Sequence, residues 1–214
     1  MTIEENLLGR QEFKKTIPER ITKQEVIKCV NWSLDQYRKV NKKYDNIHDY
    51  KLHIDFNMKN AFEFKHLLPL ISPEITFEEI IVSNSTHDLQ EDTHLTYNDI
   101  KQFLFKNIQS EISASNILEI TYALTEYRGR TRDERHPPEY YAGIRNQPGG
   151  RFGKMCDTLA NVEFGKTFRE LNIYFEGNEG MIKTYRKDYP KFRSELYIDV
   201  LDPMFVKLEK LLEI

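Results

Sequence analysis

The sequence predicts an α+β, helix-dominated fold of about five helices with a small antiparallel sheet, built as a single domain over residues 1–214. Three observations carry this expectation. Apolar residues recur at helical spacing in several segments, some of which open on capping-box pairs. Two shorter runs alternate, or concentrate β-branched residues, as strands do. No internal repeat or low-complexity linker divides the chain.

Residues 1–20 are polar, with Pro18 near their end, and read as an irregular arm or a short strand. Thr22 and Glu25 have capping-box spacing, and Val26, Val30, Leu34, Tyr37 and Tyr44 then follow at intervals of three and four or their sum. This is an amphipathic helix running to about Tyr44, with Trp32 as a packing residue. Residues 51–56 alternate, with Leu52, Ile54 and Phe56 opposite His53 and Asp55, and predict a strand. Residues 60–68 leave two readings: Phe62 and Phe64 continue a hairpin, or Asn60 and Glu63 cap a short helix that Pro69 ends. The β-branched run of residues 75–82 predicts a second strand.

Thr96 and Asp99 open a further helix with Ile100, Phe103, Leu104 and Ile108 inward. Residues 115–127 form another, burying Ile117, Ile120 and Leu124; residues 152–171 form a third, with Cys156, Leu159, Val162 and Phe168 inward. Two apolar runs within residues 172–185 flank Glu-Gly-Asn-Glu-Gly and suit a hairpin. Pro190 precedes a terminal helix carrying Leu196, Val200, Phe205, Leu208 and Leu212, interrupted near Pro203.

A net charge of −3 excludes a globally basic nucleic-acid coat and leaves room for a local basic patch. No apolar run approaches the roughly 20 residues that cross a bilayer, so no membrane contact is expected. The charged first 20 residues lack a signal-peptide core, which makes the cytoplasm the expected location. Cys29 and Cys156 make neither a disulfide framework nor a zinc pattern.

Residues 128–154, RGRTRDERHPPEYYAGIRNQPGGRFGK, read as one long loop. Seven cations (Arg128, Arg130, Arg132, Arg135, Arg145, Arg151, Lys154) stand against three acids, leaving +4 here and −7 on the remainder of the chain. The segment also holds six of the twelve arginines and five of the nine glycines. Arginine forks match phosphate oxygens, glycines let backbone amides approach a ligand, and Tyr140, Tyr141 and Phe152 offer rings for stacking on bases. Neither GxGxxG nor GxxxxGK[ST] occurs.

Three constellations offer chemistry. Arg130 and His136 are separated by five residues, and the pair resembles the Arg–x4-6–His motif of HEPN-type ribonucleases. The resemblance implies an all-helical fold and metal-free RNA cleavage, with His136 moving a proton and Arg130 stabilising the phosphorane. In a hairpin over residues 51–66, Asp55 faces Glu63 and His53 faces Lys65. Asp55 and Glu63 would then hold Mg²⁺, with Lys65 near the attacking water. This arrangement is similar to the Asp…Glu-x-Lys centre of the PD-(D/E)xK nucleases, although the Asp-to-Glu spacing is short and the capped-helix reading removes it. Lastly, His87, Asp88, Asp92 and His94 are possible metal ligands in a polar connection, at a spacing that fits no standard zinc site.

Two functions follow. The chain binds phosphate or nucleic acid through residues 128–154, as a nuclease or a nucleotide-handling protein. Alternatively it is a non-catalytic interaction or assembly protein, a homo-oligomer included, whose basic loop meets an acidic partner surface.

Overall fold

The computed structural model describes residues 20–170 and 176–214, without the side chains of residues 176–179. Most of the expected N-terminal arm therefore lies outside the described residues. The fold is 76% helical, with nine helices and one tiny two-stranded sheet among the described residues, which corrects the expected α+β architecture of about five helices.

Helix α1 (Lys23–Lys39) starts at the Thr22–Glu25 capping box and ends earlier than its apolar spacing suggests. Asn41 takes a left-handed conformation, φ 51°, and turns the chain back. Strands β1 (Lys43–Tyr44) and β2 (His48–Asp49) pair antiparallel, Lys43 with Asp49 and Tyr44 with His48. Asp45 and Asn46, both at positive φ, make the turn between them.

Helix α2 (Lys51–Phe64) replaces the expected strand. Its buried residues are His53, Ile54, Asn57, Asn60, Ala61 and Phe64, a stripe at intervals of three and four. Six alternating residues fit either period, and packing on a neighbouring helix decides for the helix. Helix α3 (Phe77–Thr86) replaces the second expected strand and begins at a Thr76–Glu79 capping box. Every residue from Glu79 to Thr86 is buried, so this β-branched run is helical because the core surrounds it on all sides.

Helices α4 (Tyr97–Asn107) and α5 (Glu111–Leu124) follow, the first capped by Thr96 and Asp99 as its spacing predicts. The segment expected to be a long loop is largely helical. Thr131 and Glu134 cap a single turn, Arg132–Arg135, and α6 (Pro138–Asn146) leads into α7 (Gly150–Glu170). Gly149 joins the last two at φ +79°, where an added Cβ would lie 3.0 Å from both the Ile80 and Ile120 side chains.

Helix α8 (Glu176–Leu196) occupies most of the expected hairpin, whose first residues fall outside the described ones, and Pro190 lies inside it. Helix α9 (Asp202–Leu212) begins after a 3-10 turn, with Pro203 in its first turn. No helix among the described residues is long and apolar enough to cross a membrane.

Helix α7 is the axis of the fold, packing against α2, α3, α5, α6, α8 and α9. The buried apolar side chains form two clusters, and α2, α3 and α7 contribute to both. Those three helices also carry most of the buried polar side chains, among them His53, Asn57, Asn60, Asn84, Lys154, Asp157 and Thr158. Gly149→Ala should destabilise the fold by about 1–3 kcal/mol through backbone strain and overpacking, read as a lower urea midpoint at unchanged m. An unchanged midpoint would show that the α6–α7 junction relaxes freely.

Candidate metal centre

Two histidines and two aspartates from three parts of the chain meet inside the helical packing. His53 comes from the first turn of α2, His87 and Asp88 directly follow α3, and Asp157 comes from the second turn of α7. His87 Nε2 lies 3.0 Å from Asp88 Oδ2 and 3.4 Å from Asp157 Oδ1. His53 Nε2 lies 3.4 Å from Asp157 Oδ1 and 3.7 Å from Asp88 Oδ2. The ligand atoms of His53, His87 and Asp88 all lie within 4.8 Å of one another, close enough to approach one cation, and Asp157 stands beside the two imidazoles.

The hydrogen bonding favours the same reading. Both ring nitrogens of buried His53, and Nε2 of buried His87, lack a hydrogen-bond partner. Such orphaned buried groups cost about 1–3 kcal/mol each. The Nδ1–H of His87 donates to the Asn84 carbonyl at 3.0 Å, which leaves Nε2 as the inward donor atom. Asp157 accepts from Lys154 Nζ on Oδ2 and from Asn161 Nδ2 on Oδ1, each at 2.9 Å. Asp88 accepts from the Tyr50 hydroxyl, and the Tyr44 ring stacks on His53 at 4.9 Å.

Electrostatics bind the group together. Burial disfavours a charge on His87, but Asp88 and Asp157 outweigh it and hold its pKa well above the usual histidine range. Burial likewise opposes ionisation of Asp157, and Lys154 with the two imidazoles overcomes it, keeping the carboxyl well below its usual range. Without a cation, a proton on His87 separates the two carboxylates. A bound metal must displace that proton.

The opening lies on the Asp88 side. The Asp88 side chain is 20% exposed, against 1% for His53, 2% for His87 and 6% for Asp157. One turn further on, desolvation and the nearby Asp88 charge push Glu91 up to about 8, and its Oε1 accepts from the Glu126 amide at 2.7 Å. Asp92 pairs with Lys42. Glu91 also lines a groove of about 640 Å³ with Thr125, Tyr127, Arg128 and Arg135 among its other walls.

Of the residues singled out by sequence, His87 and Asp88 belong to the centre, while Asp92 stands beside it and His94 is exposed elsewhere. His53 and Asp157 were not expected to join them. Asp55 and Glu63 do not meet: both are exposed on α2, eight residues or about 12 Å apart along its axis. Asp55 pairs with Lys51 at 2.6 Å and Glu63 with Lys207 at 2.7 Å, and Lys65 is exposed just past the helix end. The hairpin register that would join them does not exist in a helix, so neither the Mg²⁺ pair nor the lysine beside it forms.

Arg130 and His136 are likewise apart in role. Arg130 is exposed, while His136 is buried, bonded through Nε2 to Glu126 at 2.6 Å and stacked on Tyr140 at 4.9 Å. Tyr140, Tyr141 and Phe152 are core residues and present no face to a base. Arg132 pairs with Asp188, Arg135 with Glu126 at 3.3 Å, and Arg145 with Glu195. Lys154 is buried on Asp157. Arg128, Arg130 and half-buried Arg151 form no ion pair within the described residues, and only the first two are exposed. Trp32 stacks on Phe103 at 3.8 Å, a packing role as expected.

Comparison with protein-family models, curated proteins and solved structures returned no match.

The Glu126–His136 pair fixes a stability signature. Burial lowers the pKa of His136 below its ordinary 6.5 despite the carboxylate bond, so the stability gained from a neutral ring is lost as pH falls below about 6.5. Burial opposes the charge of Glu126, yet its bond to His136 and the nearby Lys154 bring it down to about 2 from an ordinary 4.5. That contribution is lost as pH falls from 4.5 towards 2. Urea midpoints measured from pH 8 to 3 should therefore lie below wild type in Glu126→Gln near neutral pH, with the gap narrowing as pH falls below 4.5. A variant with the same profile as wild type would detach the pair from acid stability.

Proposed function

We propose that the protein is a divalent-metal-dependent hydrolase of a phosphate ester or anhydride, with His53, His87 and Asp88 as its metal ligands and Asp157 beside the two imidazoles. The observation that carries this is the cluster of buried His53, buried His87 and part-exposed Asp88, whose ligand atoms all lie within 4.8 Å of one another. Two imidazoles and a carboxylate suit Zn²⁺, Mn²⁺ or Fe²⁺ better than Mg²⁺, which asks for oxygen ligands. Such a cation supplies Lewis acidity and lowers the pKa of a water.

The protein's own groups supply the rest. Asp88 is the ligand that meets solvent, so a substrate oxygen approaches past it. Glu91, one turn away, keeps a carboxyl that exchanges protons near neutral pH, which suits general acid–base work. Arg128 has no internal partner and lies on the same groove wall, where it favours an anionic substrate, nucleotides included. The assembly reading loses support because Arg132, Arg135 and Arg145 are spent on acids of their own chain.

Protein stripped with chelator and titrated with Co²⁺, Mn²⁺ or Zn²⁺ should bind one cation, and hydrolyse p-nitrophenyl phosphate or a nucleotide only when loaded. His53→Ala and Asp88→Asn should lose both properties. Retention of full cation binding by both variants, or no binding by wild type, overturns the assignment and leaves a metal-free buried ion network. Glu91→Gln should keep the cation and lose about 10²–10⁴-fold in kcat. Wild-type turnover in that variant would remove Glu91 from the chemistry.

A further inference from the structure

Tyr127 is 46% exposed, whereas Tyr140, Tyr141 and Phe152 are core. The strip that carries it is tied to the residues around the candidate centre. The Thr125 hydroxyl donates to the His87 and Thr121 carbonyls at 3.1 and 3.0 Å, and accepts from Gln90 Nε2 at 3.1 Å. The Glu126 amide donates to Glu91, and the Tyr127 amide to the Arg135 carbonyl at 3.2 Å. Beyond Arg128, the Arg130 amide donates to Glu134 Oε2 at 2.6 Å, and a Cβ at Gly129 would lie 2.6 Å from the Glu134 side chain. Residues 125–130 are thus pinned at both ends, while Tyr127 and Arg128 stay exposed. A T-shaped contact with buried Tyr140 at 6.2 Å braces the Tyr127 ring.

We propose that the groove of about 640 Å³ holds a free nucleotide, its base stacked on Tyr127 and its phosphate paired with Arg128. The inference rests on the hydrolase reading above for the reaction that the groove serves. A groove of this volume lies within the roughly 300–1,000 Å³ of small-ligand sites. Tyrosine offers a flat face to any base, and a guanidinium without an internal partner forks onto phosphate oxygens. Because the two side chains are neighbours on one pinned strip, base and phosphate are met by a platform already in place. Tyr127 also lines a second groove, of about 230 Å³, with Asn146 and Gln147, whose amides suit the polar edge of a base. Glu91 lines the first groove with Arg128, so the phosphate end shares it with the carboxyl assigned to proton transfer.

Adenosine 5′-monophosphate and ribose 5-phosphate, which lacks the base, separate the two contacts. Each is titrated calorimetrically into the full chain with chelator present, so that nothing is turned over. Wild type should bind the nucleotide about tenfold or more tightly than the sugar phosphate. Tyr127→Leu should abolish that preference, Tyr127→Phe should keep it, and Arg128→Gln should weaken both ligands about tenfold. Thermal melts check that each variant is folded. No preference in wild type, or an undiminished one in Tyr127→Leu, overturns the base platform. A strand of six adenylates should bind no more tightly than the mononucleotide, and tighter binding overturns a free nucleotide as the occupant. Cation uptake is read apart from these titrations. A wild type that prefers the nucleotide but takes up no Co²⁺ overturns the hydrolase reading and leaves the nucleotide site standing. One that takes up Co²⁺ without the preference overturns the nucleotide site alone.

Discussion

The structure depends on burying charged and titratable groups where α2, α3 and α7 meet. Asp157, His53 and His87 are all at most 6% exposed, and Lys154 is buried with them. Taking such groups out of water costs several kcal/mol per ion unless each finds a partner. The partners are supplied by geometry: Lys154 and Asn161 lie one turn either side of Asp157, and Asn84 fixes the His87 ring from the turn before it. Because each partner comes from an element that also fills the apolar clusters, the three helices cannot shift without exposing a charge to hydrocarbon. The packing of α7 and the placement of the polar centre are therefore one constraint.

The same constraint explains which parts of the fold could be read from sequence. Capping pairs speak through local hydrogen bonds, so Thr22 with Glu25 and Thr96 with Asp99 placed α1 and α4 correctly. Thr76 with Glu79 carried an equal signal for α3, outweighed in reading by the Ile80–Ile81–Val82 run, whose β preference yields to burial on every side. In α2 a six-residue alternation concealed a fourteen-residue stripe. The stripe is hard to see because three of its six buried members, His53, Asn57 and Asn60, are polar. That substitution of polar groups into a core face was the available sign of a site. His87 and Asp88 were visible as neighbours, whereas His53 and Asp157 reach them only through tertiary packing of other helices.

The basic segment shows how composition misleads when contacts are unknown. Its +4 charge suggested a surface devoted to an anion, but the chain spends most of it internally. Arg132, Arg135 and Arg145 dock the turn and α6 onto acids, while Lys154 neutralises Asp157. The tyrosines beside them serve as core, and His136 stacks on Tyr140 with its outer nitrogen tied to Glu126. Arg128 and Arg130 remain on the surface, where their charge is available to a ligand. An arginine-rich stretch is thus as consistent with helix docking onto acids distant in sequence as with phosphate capture.

Access settles how such a centre can work. His53, His87 and Asp157 are sealed behind Tyr44, Tyr50 and the α7 core, so exchange with solvent runs past Asp88. On that side stand Glu91, whose carboxyl holds a proton near neutral pH, and Asp92 with Lys42. Sealing protects the imidazoles from competing water and keeps the dielectric low, which strengthens each remaining interaction. The carboxylates that raise the pKa of His87 would also set a competition between H⁺ and the proposed metal on that ring. A buried cluster with one wet edge is an arrangement that would hold the proposed cation firmly and still present it to a substrate.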